Sequence, residues 1–282
     1  MDTQQFIPHS LQRKTEIFSC TWKTPSNIAL VKYWGKTAPQ IPKNASISFT
    51  LSKSHTITTI NFTPKDTSAT EEIDFELFFE GKKKEDFKPK IAKFFDRIQE
   101  YCPYLFSYNM IISSENSFPH SSGIASSASG MSAIAMCLMS LEKSLSSVEL
   151  TDEFINKKAS FLARLGSGSA SRSLEGPLVV WGNHPAIEGS SDLFGVPFPY
   201  KVHEVFNNYQ DAILLVDKGE KQVSSTVGHD LMHNHPFATQ RFQQANENLA
   251  TISDILQKGE LDSFINLVES EALSLHAMML TS

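Results

Sequence analysis

Residues Ser117 to Gly130 read Ser-Phe-Pro-His-Ser-Ser-Gly-Ile-Ala-Ser-Ser-Ala-Ser-Gly and run straight into an Ala- and Met-rich segment. Small side chains let a backbone approach an anion closely, and the apolar run that follows has helical character. Such a loop leaves the first N–H groups of a helix free, and those donors together with the helix dipole favour phosphate. No Gly-Lys-Ser/Thr closes the loop, so it is not the Walker form; the Gly-x-Gly-x-x-Gly spacing of dinucleotide sites is also absent. The composition suits a flexible Ser-rich linker as well. Pro119 and Gly123, at fixed offsets before the apolar run, favour the anion loop.

The totals are those of an ordinary globular chain: 282 residues, 40% hydrophobic and 20% charged, enough for one large domain or two medium ones. A net charge of −6 with no long basic block argues against nucleic acid as a partner. The short run Lys82-Lys83-Lys84 follows Gly81 between Glu80 and Glu85-Asp86 and reads as a solvated hairpin turn. Cys20, Cys102 and Cys137 are scattered and form no Cys-x-x-Cys, which suggests neither a disulfide framework nor structural zinc. Residues 1–20 are too polar for a signal peptide, and no stretch reaches transmembrane length. A soluble, cytoplasmic protein is the expectation.

Working outward from the loop, strand patterns fall at Thr56–Phe62, Ile73–Glu80, Asn109–Ser113, Pro177–Trp181 and Ala212–Asp217. Helical spacing predicts helices over Lys90–Tyr101 and Glu153–Leu165, over the run from Phe242 to Leu256, and, after a break at Gly259, over Leu261–Met279. Interspersed but not strictly alternating elements indicate an α+β fold more than a doubly wound sheet. The Pro/Gly-rich stretch Asn183–Pro199 is the best boundary, dividing the chain into domains 1–200 and 201–282.

Three further clusters supply donors. Pro25 to Lys36 places Lys32, Tyr33, Trp34, Gly35 and Lys36 on an otherwise apolar strand, where a buried ammonium needs an anion; an edge strand with snorkelling lysines is the simpler alternative. In Gly166 to Ser173 a helix ends and small hydroxyl residues lead to Arg172, whose planar fork matches carboxylate or phosphate; a plain surface loop is the alternative. Val223-Ser224-Ser225-Thr226 offers more hydroxyls. His229, His233 and His235 have no cysteine beside them to complete a metal set and read better as a solvated turn. Many anion donors and few nucleophiles fit phosphoryl transfer, where positioning and charge neutralisation do most of the catalysis.

The segment Pro119-x3-Gly123-Ile124-Ala125-Ser126-Ser127-Ala128 resembles the phosphate loop of the galactokinase, homoserine kinase, mevalonate kinase and phosphomevalonate kinase superfamily. Within it, Asn27-Ile28-Ala29 with Lys32 to Lys36, and Gly166 to Ser173, resemble the diphosphomevalonate decarboxylases. The resemblance covers nearly all of the chain. It implies a two-domain fold of that superfamily, with an N-terminal ribosomal-protein-S5-domain-2-like unit and a C-terminal ferredoxin-like α/β sandwich. It also implies ATP- and Mg²⁺-dependent conversion of mevalonate 5-diphosphate to isopentenyl diphosphate with release of ADP, phosphate and CO₂, in a homodimer.

By the same resemblance Lys32, Arg172 and Ser225 are catalytic. Lys32 lies near the reacting hydroxyl and γ-phosphate, Arg172 on the departing carboxylate, and Ser225 near the transferred phosphate. Tyr33, Lys36, Ser167, Ser169 and Arg172 would bind substrate. Pro119, Gly123, Ala125, Ser126 and Ser127 would hold ATP, with Ser127 also at the Mg²⁺.

Two departures stand out. His120-Ser121-Ser122 replaces a frequent Thr-Ala-Ala, and no Asp-Ala-Gly/Ala-Pro-Asn-like segment, the family's source of a catalytic aspartate, occurs in the 282 residues. On this basis the C-terminal domain is expected to be truncated, lacking strands that close its core, with weak or absent turnover. The alternatives are a mevalonate 3-kinase or monophosphate-using decarboxylase, and a non-catalytic ligand-binding homologue. Retention of Lys32, Tyr33, Lys36 and Arg172 disfavours the last.

Overall fold

The computed structural model describes residues 2–66, 72–119, 123–214, 228 and 231–282. Its spine is a 19-residue strand, β4 (Ser46–Pro64), rich in the β-branched and aromatic residues that suit a pleated sheet. Along one side of β4 runs β1 (Phe18–Val31), antiparallel, with register shifts at Pro25/Asn27 and Ala29/Val31. Proline has no N–H to give a ladder, and Pro25 sits where the ladder is interrupted, on a strand that among the described residues pairs with β4 alone.

After β1 come the short pair β2 (Lys36–Thr37) and β3 (Ile41–Pro42). Beyond β4 lie β5 (Asp74–Phe79), β6 (Lys82–Lys83), helix α1 (Lys88–Ile98) and β7 (Tyr108–Asn116). Helices α2 (Ser126–Leu145) and α3 (Asp152–Gly166) follow, then a 3₁₀ turn at Gly168–Arg172 and strands β8 (Leu178–Trp181) and β9 (Val196–Pro197). Helices α4 (Ala238–Lys258) and α5 (Leu261–Leu280) close the described chain.

The far side of β4 is shared: its first residues pair with β8 and its last with β7, giving the order β6-β5-β7-β4-β8-β9 with β1 on β4. Among the described residues only β5 and β7, joined through α1, run parallel. The mixed α+β expectation holds on that pattern. The Lys82–Lys84 hairpin reading also holds, with Lys83 on Glu76 at 2.8 Å.

One core lies under α2. That helix is buried on almost every side, which explains its small residues Ala128, Ser129, Ser132, Ala133 and Ala135: larger ones would separate it from the sheet below and α3 beside it. Phe94, Phe95 and Ile98 of α1 pack there with Ile60, Phe62, Met110 and Ile112. Glu142 of α2 and Lys158 of α3 form a fully buried ion pair at 2.7 Å. Thr151 caps α3 by accepting from the Phe154 N–H, with Asp152 and Glu153 in the first turn where the helix dipole favours them.

A second core is built where α4 and α5 meet the sheet: Ala245, Leu249, Ile252, Leu256 and Phe264 pack with Leu30, Val31, Ile47 and Val180. Among the described residues, 201–282 contribute helices to the fold and no strand. The strand anticipated at Ala212–Asp217 is absent over 212–214; 215–217 lie outside the described residues. The strand reading of Pro25–Lys36 also stops short. β1 ends at Val31, and Lys32 to Gly35 leave the sheet. The break at Gly259 is confirmed by its φ of +79°, which ends α4 before α5 begins.

Candidate active site

The described part of the Ser117–Gly130 loop leads into a helix, with Ser126 and Ser127 half-buried at its start. Gly123 has φ +84° and Ala125 φ +53°, so the chain turns twice through the left-handed region before entering α2 at Ser126. The first N–H groups of α2, those of Ser126 and Ser127 among them, have by position no acceptor within the helix. The loop is tied to β1: the Ser26 hydroxyl donates to the Ile124 carbonyl, and Thr24 Oγ1 donates to Ser129 O at 2.7 Å. Pro119 lies exposed at the loop entrance. His120, Ser121 and Ser122 lie outside the described residues, as does Ser225.

Behind the loop opens an apolar cleft lined by Leu77, Phe79, Phe87, Ile91, Met131 and Ile134, with Thr56, Ser114, Asn116, Ser126 and Ser127 at its polar side. Thr56 Oγ1 donates to Asn116 Oδ1 at 2.7 Å, while the buried Asn116 Nδ2 has no hydrogen-bond partner among the described residues.

The second half of the site is assembled around Arg172. Its side chain is 2% exposed, donates from Nε to Ser48 Oγ at 2.5 Å and from Nη1 to Ser46 Oγ at 2.6 Å, and stacks beside Tyr33 and Trp181. No carboxylate pairs with it among the described residues. Burial pulls its pKa down to about 10, with Tyr33 opposing. Tyr33 stands edge-on to Trp181 at 4.7 Å, and burial pushes its phenol up to about 12 against Arg172 and a hydrogen bond with the Ser169 backbone.

Gly168 is a requirement of this packing, since a Cβ there would meet Tyr33 Oη and Trp181 Cη2, each at 2.7 Å. Asn27 of β1 locks the turn by donating to Ser169 O at 3.1 Å and Ser173 Oγ at 2.7 Å. Ser167 reaches back to the phosphate loop, its hydroxyl 3.3 Å from that of Ser127.

Lys32 Nζ donates to Ala29 O at 3.0 Å. Burial lowers its pKa, Glu271 opposes most strongly, and Arg172 and Arg241 lower it further. Lys36 opens β2, and Lys90 of α1 has its pKa lowered by its protein-lined surroundings and, less, by the charge of Lys36. The clusters separated in sequence thus meet: Tyr33 with Ser169 and Arg172, and Ser127 with Ser167.

Lys90, Trp181, Ser46 and Ser48 escaped the sequence reading. Ser46-Ile47-Ser48-Phe49 did carry a signal, because hydroxyls at alternate positions of a strand share one face. Both serines are fully buried. His235 bonds Thr281 Oγ1 at 3.0 Å, and no group of three or more metal-ligating side chains occurs among the described residues. His229 lies outside them.

Residues 24–192 match the diphosphomevalonate decarboxylase-like N-terminal domain family, well over half of the chain. The chain belongs to the diphosphomevalonate decarboxylase family. Curated relatives agree: it is 31% identical to the diphosphomevalonate decarboxylase of Ganoderma lucidum, over 94% of this chain and 66% of that one. It is 30% identical to that of Gibberella zeae, over 93% of this chain and 69% of the relative. The chain therefore spans about two thirds of the length of these decarboxylases.

Among solved structures, mevalonate diphosphate decarboxylase from Staphylococcus aureus superimposes with a TM-score of 0.73 at 29% identity, covering 95% of this chain and 76% of that one. MDDEF in complex with MVAPP, AMPPCP and magnesium gives 0.76 at 26%, with the same coverage. No helix among the described residues is long and apolar enough to cross a membrane.

Proposed function

We propose that the chain carries the ATP-binding and substrate-binding machinery for decarboxylation of mevalonate 5-diphosphate to isopentenyl diphosphate, with ADP, phosphate and CO₂ as co-products. The observation that carries this reading is Arg172: a buried guanidinium with two hydroxyl acceptors, two aromatic neighbours and no carboxylate among the described residues. A buried cation without a counter-ion is costly, and a ligand carboxylate supplies one with matching fork geometry. Phosphate recognition alone is already provided by the α2 start, so a separate buried fork favours a substrate with a second kind of anion. The solved relative MDDEF holds MVAPP and AMPPCP together.

In this reading the Gly123–Ser127 loop and the start of α2 hold the ATP phosphates. The apolar cleft takes the nucleoside, with Asn116 Nδ2 as an available donor. Magnesium fits the donor set, since it keeps several waters and needs few protein oxygens beyond phosphate; the Ser127 hydroxyl would supply one. Tyr33, Lys36, Ser167 and Ser169 bind the substrate diphosphate, and Arg172 orients the carboxylate that leaves. Lys32 stabilises negative charge developing at the substrate's tertiary hydroxyl and the transferred phosphate, as preorganised cations do. Ser225 belongs to the same phosphate environment.

The reading divides the chain into a phosphate-loop unit, 1–200, and a second unit, 201–282, in a cytoplasmic homodimer, for which sedimentation velocity is the test. Activity is tested by CO₂ release from mevalonate 5-diphosphate with ATP and Mg²⁺, abolished in Arg172→Ala. The family's aspartate segment is not among these 282 residues, so calorimetric binding of mevalonate 5-diphosphate is measured alongside. Loss of two charge-assisted hydrogen bonds at about 1.5–3 kcal/mol each predicts binding weakened by roughly 10²-fold or more. Unchanged binding in Arg172→Ala refutes the assignment, and ATP turnover without CO₂ favours a 3-kinase.

A further inference from the structure

Lys32 is gripped at both of its backbone groups from outside its own strand. Its N–H donates to Glu271 Oε2 of α5 at 3.1 Å. Its carbonyl accepts from Asn44 Nδ2 at 3.1 Å and from Arg241 Nη2 of α4 at 3.4 Å. Glu271 is completely buried and takes three more donors: Arg241 Nη1 at 3.0 Å, Arg241 Nη2 at 2.6 Å and Asn248 Nδ2 at 2.8 Å.

Nothing in the packing of α4 on α5 requires this arrangement. A buried ion pair between two helices can be replaced by apolar residues at little cost to stability. Here the fourth donor to the carboxylate is the main chain of the residue that leaves β1 for the anion site. The buried Arg241 Nε, meanwhile, has no acceptor among the described residues. The guanidinium is therefore oriented by Glu271 and the Lys32 carbonyl at the expense of its own full satisfaction.

We propose that Glu271 is a positioning residue for Lys32: its carboxylate, fixed by Arg241 and Asn248, holds the Lys32 main chain and so sets where the Lys32 ammonium is presented to the anion site. The task given to Lys32 rests on the decarboxylase reading; the clamp itself does not. The charged groups facing Lys32 are Glu271 from α5, Arg241 from α4, Arg172 from the 3₁₀ turn and Asp211 from the segment before α4. Burial and the two arginines favour the neutral amine, so Glu271 is the principal group keeping it protonated, with Asp211 a lesser one.

The test is Glu271→Gln in the full chain, which preserves side-chain size. Lys32 reactivity toward acetic anhydride is followed against pH by mass spectrometry, with circular dichroism as the folding control. The expected result is a midpoint for Lys32 lowered by about one unit, the scale of losing one nearby opposite charge. If the wild-type chain releases CO₂, kcat should fall at least about tenfold, with its alkaline limb moved to lower pH and the KM for ATP little changed.

An unmoved midpoint in folded Glu271→Gln overturns the clamp, whatever the activity. A lowered midpoint in a chain that does not bind mevalonate 5-diphosphate keeps the clamp and refutes the decarboxylase reading instead. Should Glu271→Gln fail to fold, Glu271→Asp keeps the charge but withdraws the carboxylate by one methylene from the Lys32 N–H. It should raise Lys32 acylation at fixed pH, and a wild-type rate there overturns the proposal.

Discussion

Replacing Arg172 by Met separates a ligand-binding arginine from a structural one, because the two roles predict different changes in stability. Burial lowers the Arg172 pKa from 12.5 to about 10, which makes its charged form about 3 kcal/mol less favourable in the folded chain than in water. Methionine removes that cost and fills similar volume against Tyr33 and Trp181. It also removes the bonds to Ser46 and Ser48, each worth about 1.5 kcal/mol at the low end for a charged donor. Ser46 Oγ keeps its bond to Trp181 O at 3.1 Å, so no strong penalty for an orphaned hydroxyl follows there. The terms nearly cancel, so the Tm should move by no more than roughly 2–4 °C in a chain of this size.

Scanning calorimetry with and without mevalonate 5-diphosphate reads both halves of this argument. At one hundred times Kd the ligand should stabilise the wild-type chain by about 2.7 kcal/mol and leave Arg172→Met nearly unmoved. A variant that melts several degrees lower, or that still responds fully to the ligand, would show that Arg172 holds the fold and not the carboxylate.

The buried Glu142–Lys158 pair gives a second contrast. Lys158→Met alone should cost about 3–5 kcal/mol by stranding the carboxylate, and Glu142→Leu added to it should recover most of that in urea denaturation. Gly168→Ala drives a methyl into Tyr33 and Trp181, so substrate affinity should fall at least about tenfold while nucleotide affinity holds; equal affinities for both variants would show that the turn yields. His184 links the loop after β8 to α4, with Nε2 3.0 Å from Asn246 O and Nδ1 accepting from the Ala186 N–H. Burial, opposed by the bond to Asn246, sets its folded pKa below 6.5. The unfolded chain therefore takes up the proton first, and stability declines as pH falls through about 6.5 until the folded value is passed. His184→Gln should flatten the Tm–pH curve across that window.

Much of this arrangement was legible because its signals are local. The Gly123–Ser127 loop announces itself by small residues ahead of a helix, and the periodicities of α3, α4 and α5 survive because each has one wet face. Where the reading failed, a long-range contact decided the outcome. Lys32 to Gly35 look like the continuation of an apolar strand, yet β1 stops at Val31, where Glu271, Arg241 and Asn44 take over the backbone bonds of Lys32 from the ladder. Those partners lie up to 239 residues away, and no local pattern announces them. Ser46 and Ser48 were invisible for a related reason: alternation shows which face they share but not that an arginine from residue 172 lies on it.

The site has an electrostatic consequence that its cations bear singly and only their sum explains. Arg172 lowers the pKa of Lys32, and Lys36 that of Lys90, so the folded chain concentrates like charges that burial already disfavours. One carboxylate, Glu271, lies completely buried at the back of this group and is shared with Arg241, so it cannot neutralise the whole. Bound polyanions would complete the balance. Ionic strength should then weaken ligand binding far more than it changes the Tm of the ligand-free chain, where screening relieves the same repulsion that the ligands would otherwise remove.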